Sequence, residues 1–196
     1  MGIKIVGGWK LKSNKMAILI LNICKEKLHY FEFVRPIEKI LEEKGIDFYT
    51  KHYTKFNDKD LRADKIIICG TSLMDKDYLK NISLFKWINF YKKPILGICG
   101  GMQIISSYFK GETYENKEIG LKEINFEKEF LYFKGKIKAY QLHLLSIKIN
   151  KNKFEAYAHS GNKTIQAIKH KTKPFYGVLF HPEVRNKILI EKFIEI

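Results

Sequence analysis

Two short stretches carry residue types that could do covalent chemistry together. "GICGG", residues 97–101, sets Cys99 between Gly97 and Gly101, and "HPE", residues 181–183, sets His181 two places before Glu183. A thiol becomes a useful nucleophile when a neighbouring base can take its proton and backbone N–H groups await the oxyanion it creates. The spacing G-x-C-x-G is a cysteine version of the nucleophile elbow, a strand turning directly into a helix. Such a corner lifts the sulfur above the sheet and places it at a helix N-terminus, whose partial positive charge favours thiolate. It also strains the corner residue and leaves no room for side chains at Gly97 and Gly101. Histidine and glutamate two apart on an extended chain lean to the same side. Glu183 can then hold the imidazole in the tautomer whose other nitrogen faces the thiol. Each stretch has a plainer reading as well: Cys99 as a small buried core residue, and His181 as a strand cap with Glu183 paired to a surface cation such as Arg185. Found together, in the chain order Cys, His, Glu, they favour the chemical reading.

The elements around them must bring both to one edge. Residues 94–98, "PILGI", are short, apolar and β-compatible, and residues 102–109 are apolar at helical spacing, so Cys99 falls on the corner between strand and helix. The run "YGVLF" before His181 reads as a strand that Pro182 must end, leaving His181 and Glu183 at its C-terminal edge. Upstream, the pattern predicts strands over 17–23, 46–53 and 65–69 and helices over 33–44 and 78–91, with Gly45 closing the first helix and Gly70 ending the third strand. This alternation implies parallel strands joined by right-handed crossovers, with the ligand crevice at the strand C-terminal ends. Residues 118–149 are rich in β-formers and short turns and predict antiparallel hairpins; strands over 154–158, 165–169 and 176–180 and a helix over 187–195 complete the pattern. The expected fold class is α/β: a mostly parallel central sheet flanked by helices, with added antiparallel hairpins on a flavodoxin-like core. Residues 1–196 read as a single domain, with 1–15 a possible N-terminal extension, either an extra edge strand or an upstream start.

Composition narrows the function classes. The chain has 196 residues, 45% hydrophobic and 14% aromatic, which suits one well-cored domain. No apolar run approaches the roughly 20 residues of a membrane span, and the start lacks a signal core, so a cytoplasmic protein is expected. Cys24, Cys69 and Cys99 are odd in number and widely separated, so reduced thiols are expected and neither a disulfide framework nor a zinc knuckle is suggested. The six histidines show no metal-ligand spacing, and neither metal nor cofactor is expected. The formal charge of +15 comes from 36 basic residues against 21 acidic ones; only Arg35, Arg62 and Arg185 are arginine, and the lysines are spread along the whole chain. That distribution is a lysine-biased composition rather than a focused nucleic-acid patch.

"PILGICGGMQ" together with "QAIKHKTKPFYGVLFHPEV" resembles the class I glutamine amidotransferases, the Cys-His-Glu family that includes the glutaminase parts of GMP synthetase, anthranilate synthase and carbamoyl phosphate synthetase. The resemblance covers most of residues 16–196. It implies Cys99 as nucleophile, His181 as general base and acid, and Glu183 as its orienter. Gln103 matches the family glutamine that contacts substrate, and the N–H groups of Gly100 and of the Gly70 loop match the oxyanion hole. It further implies hydrolysis of L-glutamine through a γ-glutamyl thioester, with ammonia passed to a separate synthetase, since the chain is too short to contain one. Three departures stand out. The loop after Gly70 reads "GTSLMD" where the family has S-G-G-P-G or similar. The hairpin that carries a serine-histidine pair reads "AYQLHLLSI", in which His143 is either that histidine or an ordinary hairpin residue. The His-Thr that follows the H-P-E motif in typical GMP synthetases is missing, although "KEIGL", residues 117–121, resembles their E-I-G-W segment. Alternatives are a free-standing γ-glutamyl hydrolase or peptidase needing no partner, and a non-catalytic binding module, against which the intact Cys99, His181 and Glu183 argue. Nucleic-acid binding has no motif behind it.

Overall fold

The computed structural model of the protein describes residues 16–161 and 163–196, so the expected extension over 1–15 lies outside the described residues. Among the described residues, β1 (Ala17–Asn22), β2 (Asp47–His52), β3 (Lys65–Ile68) and β4 (Ile95–Ile98) form one flank of a nine-stranded sheet. β5 (Glu112–Phe130), β6 (Phe133–Lys148), β7 (Phe154–Ser160), β8 (Ile165–His170) and β9 (Phe175–Val178) form the rest. The order across the sheet is β2-β1-β3-β4-β9-β8-β7-β5-β6. β2 through β9 in that order pair in parallel. From β9 onward every pairing is antiparallel.

The expectation of a mostly parallel sheet is therefore corrected: the sheet is mixed, and the antiparallel ladders, above all the long β5–β6 hairpin, hold more of the paired residues. The reason is physical. Apolar strands such as "KIII" and "FYGV" are buried on both faces whichever way their neighbours run, so their composition does not announce direction.

The helical segments are α1 (Lys27–His29), a π-helical turn over Tyr30–Val34, α2 (Arg35–Glu43), α3 (Asp77–Lys80), a 3₁₀ stretch over Ile82–Asn89, α4 (Gly100–Tyr108) and α5 (Ile188–Glu195). The first helical run starts earlier than predicted and widens just before Pro36, which has no N–H to give to the preceding turn. Gly45 ends it at φ +65°, as a C-cap glycine does. The helix predicted over 78–91 is broken: Asn81 turns its side-chain amide onto Asp77 O, and Phe85 sits at φ −95°, ψ 16°, outside helical values. Strands β1, β3 and β4 and helices α2, α4 and α5 bury the main apolar core.

Lys65, buried at the start of β3, sends its ammonium to the other end of the chain, where it donates to Phe193 O at 3.1 Å, to Ile194 O at 2.6 Å and to Ile196 O. No helix among the described residues is long and apolar enough to cross a membrane.

Candidate active site

β4 is buried along its whole length and delivers Cys99 to the sheet edge at φ +48°, ψ −104°, with α4 beginning at the next residue. A non-glycine residue at positive φ outside the left-handed helical well is strained, and it persists only where its surroundings over-determine it. Here they do. Cys99 N–H donates to Val178 O on β9 at 2.8 Å, and a Cβ at Gly97 would stand 2.5 Å from the carbonyl atoms of Gly101. The strand and helix therefore pack backbone to backbone, as the G-x-C-x-G spacing predicts.

His181 and Glu183 meet as expected, Nδ1 to Oε1 at 2.7 Å, with both residues almost fully buried. Their local conformation differs from the expectation. β9 ends at Val178, and the pair forms across a turn in which Val184 N–H donates to His181 O, so the turn rather than an extended strand brings the side chains together. The ring of Phe33 packs 5.4 Å from the imidazole. His181 Nε2 has no hydrogen-bond partner among the described residues, while Cys99 Sγ approaches Leu142 O at 3.7 Å. Burial pulls the imidazole's proton affinity down, but the charge of Glu183, followed by that of Cys99, outweighs it, and His181 is held well above the ordinary histidine value.

Gly70 lies against this pair. A Cβ there would come within 2.6 Å of His181 Cε1 and 3.4 Å of Cys99 Cβ, so any side chain would wedge between Cys99 and His181. Gly100 begins α4, whose first-turn N–H groups have no acceptor inside the helix. The departing loop is braced: Asp75 accepts from Thr71 Oγ1 at 2.8 Å and from Lys25 N–H at 2.7 Å, which ties the loop after β3 to the loop after β1. Cys69 is fully buried just beyond β3, accepts from Ile23 N–H at 3.4 Å, and has its thiol pushed well up by burial and then by Cys24. It packs into the strand end as a buried thiol.

Gln103 and His143 both line the cleft beside Cys99, together with Thr71, Tyr78 and Leu142. Both ends of the Gln103 amide are taken: Oε1 accepts from Tyr78 OH, and Nε2 donates to Leu145 O at 2.8 Å. His143 is buried, and its Nε2 lies 3.3 Å from Glu118 Oε2, close but not aligned as a hydrogen bond, while Nδ1 has no partner among the described residues. The free space is about 10 Å³, room for roughly one water and far too little for an amino-acid substrate. Among the described residues no group of three or more His, Cys, Asp or Glu is arranged to hold a metal ion.

Sequence reasoning does not find Tyr78, Asp75 or Glu118. Glu118 lies in the "KEIGL" segment, to which the sequence alone gives no role. The other two sit in the departing loop and just after it, where no motif marks them.

The fold aligns with a candidate GMP synthase subunit from Thermoplasma acidophilum at a TM-score of 0.83, covering 93% of this chain and 94% of that one at 22% identity. By sequence, the chain is 43% identical over 98 residues to a glutamine-hydrolyzing GMP synthase subunit of Methanocaldococcus jannaschii, which is 47% of this chain and 52% of that protein. It is 33% identical over 147 residues to the glutamine-hydrolyzing GMP synthase of Francisella philomiragia, covering 69% of this chain and 28% of that one. The chain thus spans about half the length of the archaeal relatives it matches. Over residues 29–195, which include the elbow, the H-P-E turn and the wall between them, it matches the profile described as glutamine amidotransferase class-I, and it belongs to that family.

Proposed function

We propose that this chain acts as one glutaminase domain that hydrolyses L-glutamine to glutamate and ammonia, and that it supplies the ammonia to a separate synthetase subunit in the cytoplasm. The observation that carries this reading is Cys99, held at positive φ on the elbow beside the buried His181–Glu183 pair.

Cys99 attacks the side-chain carboxamide carbon as thiolate, and the oxyanion is received by the N–H groups of Gly100 and of the Gly70 loop. The imidazolium of His181, kept protonated by Glu183, gives its proton to the departing nitrogen, and ammonia leaves. A water then loses its proton to His181 and attacks the γ-glutamyl thioester; the C–S bond breaks, glutamate departs, and the thiolate is regenerated beside the imidazolium. Gln103 and His143 line the cleft beside Cys99, Gln103 with both amide ends engaged and His143 against Glu118, and meet substrate in this reading only once the cleft opens.

The names of the relatives point to GMP synthesis as the reaction that consumes the ammonia, and so to a GMP-forming synthetase as the partner. The closed cleft fits a glutaminase that opens when its partner docks. The test is the glutaminase rate of the pure chain with and without the synthetase that co-purifies from its source. A rate raised at least about tenfold by the partner, with diazo-oxo-norleucine labelling confined to Cys99, is the expected result. Full activity alone with no companion overturns the partnered role, and no labelling of Cys99 overturns the mechanism.

A further inference from the structure

The strand that walls the cleft holds the chemistry by its backbone. Tyr140 O accepts from His181 N–H at 2.9 Å, Leu142 O faces Cys99 Sγ at 3.7 Å, and Leu145 O accepts from Gln103 Nε2 at 2.8 Å. All three carbonyls belong to β6, whose offset against the rest of the molecule therefore sets where the nucleophile, the base and the cleft glutamine stand. Main-chain carbonyls cannot place themselves, so something must fix β6.

Glu118 on β5 is directly opposite His143 on β6 in the ladder, and cross-strand pairs of this kind put side chains on one face. Its carboxylate is buried. Oε1 accepts from Ser160 Oγ on β7 at 3.1 Å, and Oε2 accepts from Gln166 Nε2 on β8 at 2.8 Å and contacts His143 Nε2 at 3.3 Å. Gln166 in turn takes the Gln141 amide of β6 at 2.8 Å. One carboxylate thereby joins four strands and grips β6 at the two residues interleaved with the Tyr140 and Leu142 carbonyls. An apolar residue would pack such a position without the cost of burying a charge, so packing alone does not account for it.

We propose that Glu118 is a positioning residue of the reaction: acting through His143 and Gln166, it holds β6 at the offset that keeps Cys99 and His181 in working alignment. This rests on the glutaminase reading above. The amide of Glu118→Gln can keep its oxygen on Gln166 Nε2 and donate to Ser160 Oγ, whose hydroxyl also accepts, so what the variant removes is the negative charge against His143 and one charge-assisted bond to β8.

The experiment is a double-mutant cycle of Glu118→Gln and His143→Asn in the full chain with its synthetase partner present. It reads kcat, KM for glutamine, and the rate at which iodoacetamide alkylates Cys99, followed by mass spectrometry. Glu118→Gln should lower kcat about 10- to 100-fold with KM within about threefold, and slow Cys99 alkylation about tenfold, because small misplacements cost rate rather than binding. The double variant should be no slower than the slower single one. Unchanged kcat, a change in KM alone, or losses that multiply in the double variant would overturn the proposal. Slowed alkylation in a chain whose wild type does not hydrolyse glutamine would sink the glutaminase reading and leave the positioning role standing. If Glu118→Gln fails to fold by circular dichroism, Ser160→Ala, which removes one hydrogen bond and keeps the charge, should still slow alkylation about two- to fivefold; no slowing overturns the proposal.

Discussion

The two flanks of the sheet contribute to the site in opposite ways. The parallel flank, β2-β1-β3-β4, supplies the proposed nucleophile and its surroundings on strained or side-chain-free backbone: Cys99 at positive φ, Gly70 against the imidazole, and Gly97 against Gly101. The antiparallel flank, β8-β7-β5-β6, supplies no nucleophile. It supplies carbonyls that receive the site residues, and a buried polar cluster that holds those carbonyls in place. β9 lies between them and leads into the H-P-E turn. Chemistry in this molecule depends on tight steric fit on one side and on hydrogen-bond satisfaction on the other, so the two flanks should fail differently when altered.

The largest effect belongs to the proposed nucleophile. Cys99→Ser should lower glutamine hydrolysis at least about a thousandfold, about 4 kcal/mol of barrier, while the thermal melt stays within a degree or two of the parent. Residual turnover above that limit would mean that the elbow is not where the bond breaks.

Next is fit on the parallel flank. Gly97→Ala places a methyl group on the Gly101 backbone, which cannot swing aside as a side chain could, and should cost about 3 kcal/mol in urea unfolding. A cost below about 1 kcal/mol would show the elbow to be more compliant than its geometry implies.

Glu183→Gln should reduce kcat about 30-fold, less than loss of His181, because it orients and charges the imidazole without carrying the proton. It should also move the alkaline limb of the kcat profile to lower pH, since the carboxylate is the main influence that raises His181 against burial. The sign for stability is the same. A histidine raised in the folded state adds stability that is complete below the unfolded value of about 6.5 and fades as pH climbs through the folded value. The variant should lose that slope, and an unmoved limb would assign it to another group.

The smallest effect is the contrast to Gly97. Gly161, at the turn between β7 and β8, has nothing within 4 Å of an added Cβ, and Gly161→Ala should change stability by less than about 0.5 kcal/mol in the same urea titration.

What can be read in the sequence follows the same division. The elbow is legible because steric fit writes glycine at fixed spacing, and the base is legible because a proline stops the chain beside it. The wall is not. Backbone carbonyls have no residue type, and the Glu118–His143 pair depends on a ladder register that bulges between Glu115 and Glu118. Direction is also hidden: a strand such as β9, buried apart from Tyr176, looks the same with a parallel or an antiparallel neighbour. The kinked 3₁₀ stretch over Ile82–Asn89 reads as an α-helix because its apolar spacing fits either form.

Lys65 carries a consequence for the order in which the molecule is made. Its ammonium, at the start of the strand that leads to Gly70, is matched by carbonyls 128 to 131 residues later in the chain. Until α5 has emerged from the ribosome and docked, that charge must stay hydrated, and β3 cannot be sealed into the interior without leaving it unpaired. A half-synthesised chain therefore already contains the cysteine but lacks a settled cradle beside it. The strand that leads to Gly70 is thus sealed only when residues 193 to 196 have folded back onto it.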